Sequence, residues 1–297
     1  RRRCRFAGGG LPAGRVGGFA PAPQSLETFV RTLYIVPTPV GNLEDITLRA
    51  LRVLREAALI AAEDTRTTRV LLQHFDIHTP LTSYHEHNKL TKLEAVFDAL
   101  ETGDVALVSD AGTPGISDPG YELIKEAIGR GYRIEPLPGA TALIPALVAS
   151  GLPTDGFVYI GFLPRKDRVL RDLLKELQHE RRTLVCYESP NRLTDSLDVI
   201  GSVLGQRSVC VAREVSKLYE EFYRGTVAEA LAHYNATPPR GEIVLVIGGY
   251  VSEPEAAWDE AHVRQALFAR LDEGEPLSSA AKAVAQEAGW ERRAVYA

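Results

Sequence analysis

Hydrophobic residues along the chain occur in short runs that alternate with stretches of helical periodicity. Four apolar runs predict strands buried on both faces, at residues 33–36, 59–62, 105–108 and 132–137. Between them, apolar residues recur every three or four positions, as at Leu48, Leu51 and Leu54, behind a helix cap expected at Thr47 or Asp45. Strands that alternate with helices predict βαβ units and a largely parallel sheet.

A turn-rich segment at residues 150–156 separates these strands and helices from a second set of predicted strands and helices. Further runs predict strands at 157–162, 183–187, 209–212, 221–223 and 243–247, with helices at 168–180 and 193–204. Residues 255–297 have a helical pattern broken near Gly274 and Gly289, which favours a small helical cap over a helix-turn-helix. We therefore predict an α/β protein with an N-terminal α/β domain at 32–150, a C-terminal α/β domain at 151–250 and a helical tail at 251–297.

Residues 1–31 differ from the rest because they are rich in arginine and glycine and have no hydrophobic period. We expect this extension to be disordered or non-native. One interpretation is a transit-like peptide. The other, which we favour, is translated upstream sequence with the true start near Val30, since no amphipathic helix is visible.

The 297 residues carry a formal net charge of −5, and residues 32–297 alone carry −10. This balance excludes a globally basic nucleic-acid-binding protein, so any RNA contact must use local basic patches. No apolar run approaches the roughly 18 residues of a membrane-spanning helix, and we expect no membrane partner. The three cysteines are far apart, which excludes a disulfide scaffold or a C-x-x-C metal pair and suits a reducing cytoplasm.

Three loops rich in glycine and proline follow predicted strands, at residues 37–42, 110–120 and 138–142. In open α/β sheets, ligands bind at the carboxyl ends of the strands, where such loops lie. Glycine and proline also simply terminate strands, and for the first and third loops this alternative is equally good. The eleven residues of the second loop exceed the usual connection of roughly 2–6 residues, so that loop favours a binding role.

The charges of these loops indicate the kind of ligand. None of the three loops contains Lys or Arg, and the second contains Asp110 and Asp118. Phosphate-binding motifs, which supply a lysine or the G-x-G-x-x-G pattern, are absent from the loops. An acidic site rich in main-chain groups suits a cationic ligand with hydroxyls, and S-adenosylmethionine fits that description.

Five segments together resemble one known family. They are VPTPVGNLEDIT at 36–47, AEDTR at 62–66, SDAGTPGISDPG at 109–120, PGAT at 138–141 and YESPNRL at 187–193. In this order they are similar to the ribosomal RNA small subunit methyltransferase I family, a branch of the tetrapyrrole methylase superfamily. The similarity covers about residues 32–250, and residues 1–31 have no counterpart in the family pattern.

The resemblance implies two α/β domains of the tetrapyrrole methylase type, with S-adenosylmethionine in the cleft between them and no metal. It implies 2′-O-methylation of a cytidine ribose in the decoding region of 16S rRNA in the small ribosomal subunit, by a cytoplasmic homodimer. The implied donor contacts are Pro39, Gly41, Asp110, Gly112, Thr113, Ile116, Thr141 and Ala142.

A ribose hydroxyl is a weak nucleophile, so a general base near the methyl donor would help. Asp64 is our candidate base or orienting group, and Arg66 is a candidate clamp for phosphate or carboxylate. The alternative is an Asp64–Arg66 pair that stabilises a helix start. His85 or Glu86 is a further candidate for substrate contact, but alternation along a strand argues against a metal pair there.

RNA binding requires cations. Arg165 and Lys166 are the preferred RNA contacts because they lie between a predicted strand and helix on the cleft side of the second domain. Arg192 either binds RNA or belongs to a segment that caps the next helix. Each of these cations could also be an ordinary solvated surface charge.

Two other functions compete with RNA methylation. A methyltransferase acting on a small tetrapyrrole such as a precorrin has the same fold and donor, and it suits the acidic body better. A non-catalytic ribosome assembly factor would be expected to have damaged donor loops, whereas all three loops are intact.

Overall fold

The computed structural model describes residues 31–84, 89–251 and 258–296. The predictions for the N-terminal extension, apart from Arg31, and for residues 85–88 lie outside this part of the chain. Within it, no helix is both long enough and apolar enough to cross a membrane.

The first sheet contains five parallel strands in the order β3-β2-β4-β1-β5. The strands are β1 (Thr32–Ile35), β2 (Leu59–Ala62), β3 (Leu81–Ser83), β4 (Val105–Val108) and β5 (Arg133–Pro136). The helices between them are α1 (Leu48–Glu56), α2 (Thr65–His74), α3 (Lys89–Thr102) and α4 (Tyr121–Gly129). The parallel βαβ arrangement predicted for this half is therefore confirmed.

Side chains of β1 alternate between two hydrophobic layers, because successive residues of a strand point to opposite faces. Leu33 and Ile35 pack in the layer formed with α3 and α4, whereas Val36, just past the strand, packs in the layer formed with α1. Helix α1 begins at Leu48 because the Thr47 side chain accepts a hydrogen bond from Ala50 N at 3.0 Å. Of the two caps considered, Thr47 is thus the one used.

The order of the strands creates a switch point between β1 and β4. The connection from β1 leads to β2 on one side, and the connection from β4 leads to β5 on the other. Neighbouring parallel strands whose connections leave in opposite directions open a crevice at their carboxyl ends. The loops that follow β1, β4 and β5 meet at this crevice.

The second sheet also has five strands, in the order β6-β7-β10-β8-β9. They are β6 (Phe157–Phe162), β7 (Thr183–Glu188), β8 (Ser208–Arg213), β9 (Glu221–Thr226) and β10 (Ile243–Ile247). Only β6 and β7 pair in parallel, and the other three pairs of neighbouring strands are antiparallel, so the parallel arrangement of the first sheet is not repeated in this half. Strands β8 and β9 are joined by residues 214–220, a connection too short for a parallel crossover.

Helices α6 (Asp167–Glu176), α7 (Leu193–Leu204) and α8 (Val227–Ala236) cover one face of the second sheet. Helix α5 (Leu143–Ala149) packs on the other face through Leu143, Ala146 and Leu147. The charged helix that the sequence predicted over 168–180 ends earlier, at Glu176. Helix α5 lies before the predicted boundary at residue 150 but contributes to the core of the second sheet.

Two of these helices were not predicted. Pro145 argues against a helix, yet it occupies the third position of α5, where the backbone N–H has no intrahelical partner to lose. Helix α8 begins at a capping box between Thr226 and Glu229, a T-x-x-E signal that is visible in the sequence.

The described part of the tail, residues 258–296, forms three helices with a small core of their own. They are α9 (Glu260–Asp272), α10 (Leu277–Ala288) and α11 (Arg292–Tyr296). Val263, Val284 and Val295 lie in this core. Gly289 ends α10 in a left-handed conformation with φ 67°, as the break predicted there requires.

Candidate active site

A cavity of about 370 Å³ opens at the carboxyl ends of β1, β4 and β5. Val40 lines it from the loop after β1, Gly112 and Thr113 from the loop after β4, and Thr141 and Ala142 from the loop after β5. The three loops singled out by their glycines and prolines therefore form one wall of a single cavity.

Direct contacts hold these loops together. Thr38 N donates to Gly112 O at 2.9 Å, and Gly112 N donates to Thr38 O at 2.8 Å. Thr113 Oγ1 donates to Ala140 O at 3.0 Å. A Cβ on Gly139 would lie 2.7 Å from Pro37 Cβ, so only glycine allows the first and third loops to approach this closely.

The second sheet forms the opposite wall. Phe162 and Glu188, at the ends of β6 and β7, line the cavity together with Tyr187. Glu242 and Val244 line it near the start of β10. Because β10 runs antiparallel to β7, its amino end lies beside the carboxyl end of β7 at the cavity.

The cavity is acidic. Five carboxylates line it, from Glu63, Asp110, Asp118, Glu188 and Glu242, and none of the described lining residues is Lys, Arg or His. Burial, reinforced by the nearby Glu63, raises the pKa of Asp118 to about 6, and burial also raises the pKa of Asp110. The prediction of an acidic site without cations agrees with this lining. Across the described residues, no group of three or more His, Cys, Asp or Glu side chains could hold a metal ion.

Six of the eight predicted donor contacts line the cavity: Asp110, Gly112, Thr113, Ile116, Thr141 and Ala142. The other two, Pro39 and Gly41, flank the lining residue Val40 but do not line the cavity themselves. A Cβ on Gly41 would lie 2.3 Å from Lys217 Cγ and 3.1 Å from the carbonyl carbon of Ser216. Gly41 thus lets the first loop pack against the 214–220 turn of the second sheet.

Asp64 and Arg66 bind each other outside the cavity lining. Arg66 Nη2 lies 2.6 Å from Asp64 Oδ2, and the Asp64 side chain also accepts from Arg66 N at 2.8 Å at the start of α2. The Arg66 guanidinium lowers the pKa of Asp64 to about 2. These contacts match the helix-start alternative, and a catalytic role for either residue stays a prediction.

Arg192 is tied to the cavity wall. Its Nε and Nη2 donate to the fully buried Glu188 carboxylate at 2.9 and 2.5 Å, and its Nη2 also donates to Leu163 O at 2.9 Å. Ser196 Oγ donates to the same carboxylate at 2.5 Å. Arg192 occupies the N-cap position of α7, but its side chain makes no capping hydrogen bond there. Binding of RNA by Arg192 stays a prediction.

Arg165 and Lys166 are exposed where β6 leads into α6. Arg165 also lines a second groove, of about 520 Å³, with Arg171 and Arg192. The same groove contains Asp167, Asp195 and Asp198, so it is not strongly basic. Binding of RNA by these residues stays a prediction.

Most of the second sheet's contribution to the cavity has no signal in the sequence. Tyr187 and Glu188 belong to the YESPNRL segment, one of the five segments that resemble the family, whereas Val215 and Glu242 belong to no motif. Asp118 was visible as an acidic loop residue, but nothing in the sequence indicated its burial.

Residues 32–231 match the family described as Tetrapyrrole (Corrin/Porphyrin) Methylases. Ribosomal RNA small subunit methyltransferase I of Halalkalibacterium halodurans is 49% identical over 273 residues, which cover 89% of this chain and 93% of that protein. The protein of the same name from Escherichia coli O157:H7 is 47% identical over 278 residues, covering 92% of this chain and 96% of that protein.

Solved structures of tetrapyrrole methyltransferases have the same fold. Uroporphyrin-III-C-methyltransferase from Thermus thermophilus matches with a TM-score of 0.51 at 22% identity and covers 73% of this chain and 94% of its own. Cobalt precorrin-4 methyltransferase matches with a TM-score of 0.58 at 17% identity, covering 76% and 98%. A Thermus thermophilus uroporphyrin-III C-methyltransferase complexed with S-adenosyl homocysteine matches with a TM-score of 0.51 at 20% identity, covering 73% and 97%. The predicted fold class is confirmed.

Proposed function

Because the chain belongs to the tetrapyrrole methylase family, and within it to the ribosomal RNA small subunit methyltransferase I proteins, we propose that it transfers a methyl group from S-adenosylmethionine to RNA of the small ribosomal subunit. The observation that carries the proposal is the cavity where the three loops meet, with five carboxylates and no cation among its described lining residues.

The chemistry of the lining fits this donor. S-adenosylmethionine carries a sulfonium, an ammonium and ribose hydroxyls, and carboxylates such as Asp110 and Glu63 attract the positive charges. Gly112 and Gly115, each with φ 83°, let the 110–120 loop turn sharply beside the cavity. A nucleoside polyphosphate would instead meet five carboxylates without a countercharge.

We extend the proposal to the 2′-hydroxyl of a cytidine in the decoding region of 16S rRNA, as the family resemblance implies, and to a cytoplasmic homodimer. Methyl transfer is an in-line displacement, so the two walls of the cavity must hold donor and acceptor nearly in contact. Arg165 and Lys166 lie exposed between α6 and β6, whose last residue, Phe162, lines the cavity, and there they can contact phosphates.

The test incubates the protein with isotopically labelled S-adenosylmethionine and small ribosomal subunits that lack the modification. We expect a label on one cytidine ribose, located by mass mapping of nuclease fragments. A label on a base, or on a precorrin offered in parallel, would replace this proposal with another methyltransferase activity.

Donor binding has an independent readout. Calorimetry should detect S-adenosylhomocysteine binding, and neither ATP nor NAD should compete. At a ligand concentration 100 times the Kd, stability should rise by about 2.7 kcal/mol. Absence of both effects would indicate a non-catalytic assembly factor.

A further inference from the structure

We propose that Asp118 accepts the proton of the attacking hydroxyl during methyl transfer. The inference rests on the proposed function, since it needs a hydroxyl acceptor in the cavity. It assigns the role of general base to the 110–120 loop instead of the AEDTR segment.

The backbone around Asp118 holds its side chain between the two walls. Ser117 adopts a left-handed conformation with φ 61°, which is uncommon for a residue with a side chain. Its Oγ lies 2.6 Å from the hydroxyl of Tyr159 on β6, and this contact ties the loop to the second sheet. Asp118, the next residue in the sequence after Ser117, lines the cavity.

Titratable groups from several neighbouring elements lie near the Asp118 carboxyl. Glu63 follows β2, Asp110 belongs to the same loop and Glu242 precedes β10, and all three add negative charge. Tyr159 and Tyr187 of the second sheet lie close enough for their phenols to interact electrostatically with it. The nearby Ser109 hydroxyl acts in the opposite sense and lowers the pKa of this carboxyl.

Partial burial, reinforced by the neighbouring carboxylates, raises the pKa of Asp118 to about 6. A base is most effective when its pKa lies near the working pH, because it is then mostly deprotonated yet still binds a proton well. At pH 7 a group with this pKa is about nine-tenths ionised. Asp118 therefore combines a suitable basicity with a position in the cavity.

Other carboxylates in and beside the cavity are already engaged. Asp64 is bound by Arg66, and its pKa of about 2 makes it a very weak base. Glu188 accepts hydrogen bonds from Arg192, and Glu242 lies 2.9 Å from Lys217 Nζ. Among the described residues, no cation forms an ion pair with Asp118.

The step balances in atoms and charge. The 2′-oxygen forms a bond to the methyl carbon, the bond between that carbon and sulfur breaks, and its electron pair stays on sulfur. The hydroxyl proton moves to the Asp118 carboxylate. One positive sulfonium and one negative carboxylate thus become neutral together, so the net charge of the cavity does not change.

The experiment compares wild type with Asp118→Asn, which preserves the shape of the side chain. We expect the single-turnover rate at saturating donor to fall at least about 100-fold. The accompanying change in donor Kd, measured by calorimetry, should be much smaller. The wild-type kcat/KM should rise with pH and level off above about pH 6, and the variant should lack this rise.

Asp110→Asn is the matched comparison, since Asp110 lies in the same loop and lines the same cavity. It should weaken donor binding more than it slows the saturated rate. Asp118→Ala provides a second test, because added formate should accelerate a variant that lacks only a base. These variants are compared only after circular dichroism confirms that they are folded.

Three results would overturn the proposal. The first is that Asp118→Asn reacts at the wild-type rate when the donor is saturating. The second is that the variant loses only donor affinity, which would make Asp118 a donor contact. The third is a folded Asp118→Ala that does not respond to formate. If wild type itself methylates no small-subunit RNA, the proposed function fails together with this inference, which separates that outcome from the other three.

Discussion

Replacing Arg192 by methionine tests whether this residue stabilises the cavity wall or binds RNA. Methionine keeps the aliphatic part of the side chain and removes the guanidinium. The buried Glu188 carboxylate then loses three of its hydrogen bonds, from Arg192 Nε at 2.9 Å and from Nη2 at 2.5 and 2.7 Å. It keeps those from Ser196 Oγ and Ser189 N.

The expected cost follows from this environment. Removing one partner of a buried ion pair costs about 3–5 kcal/mol, because the other charge is left buried without compensation. The Arg192 side chain is 25% exposed and two donors to Glu188 remain, so we expect a value near the lower end, about 3 kcal/mol. That loss corresponds to a fall in Tm of roughly 6–12 °C.

Urea and thermal unfolding of Arg192→Met measure the loss of stability, and two further variants serve as comparisons. Glu188→Gln in the Arg192→Met background should recover about half of the stability, since a neutral amide is cheaper to bury than an unpaired carboxylate. Arg165→Met, at an exposed position, should change stability by no more than about 0.5 kcal/mol.

RNA binding at low salt is measured on the same proteins. We expect Arg165→Met combined with Lys166→Met to weaken it, with donor affinity unchanged. If Arg192→Met instead keeps the wild-type unfolding midpoint and loses RNA affinity, then Arg192 contacts RNA and the argument from its buried partner is wrong.

Three further predictions concern the helix cap, the loop contact and pH. Thr47→Ala should cost about 1 kcal/mol in urea unfolding and Thr47→Ser much less, because only the alanine removes the acceptor for Ala50 N; equal losses would contradict this. Gly139→Ala should raise the donor Kd measured by calorimetry, because its Cβ would lie 2.7 Å from Pro37 Cβ and separate two loops of the cavity; an unchanged Kd would show that the loops adjust freely. The folded-state pKa of Asp118 is raised from 3.8 to about 6, so the folded protein binds this proton more tightly than the unfolded chain, and stability from this group falls as pH rises from about 4 to about 6. Thermal unfolding without donor should show wild type losing stability relative to Asp118→Asn across that range, and a constant difference would refute the assignment.

Much of the secondary structure was predictable because turn residues delimit it. The run at 243–247 and the helix at 193–204 were predicted with the bounds that β10 and α7 have. A proline limited what such patterns could show elsewhere, since Pro145 obscured α5 although it lies at a position where a helix tolerates it. The βαβ pattern correctly predicted the parallel direction of the first sheet, although the predicted runs did not include β3, because helices α1 to α4 connect its strands and allow parallel crossovers.

Strand order and pairing in the second sheet could not be predicted in this way. Strand β10 lies between β7 and β8, far from both in sequence, and its antiparallel direction brings Glu242 to the cavity. Hydrophobic periodicity indicates that a strand is buried but does not identify its neighbours. The second wall of the cavity is consequently a product of the packing.

By itself, the sequence determined four of the five strands of the first sheet, the three loops of the binding wall and their lack of cations, because composition and local backbone preference act over a few residues. Only the tertiary structure decided which charged side chains are held in ion pairs and which are not. Arg192 and Glu188 neutralise each other, Arg66 occupies Asp64, and Asp118 remains partly buried among other carboxylates. The pKa of a carboxyl depends on burial and on charges within a few ångströms, and those distances exist only once the chain has folded.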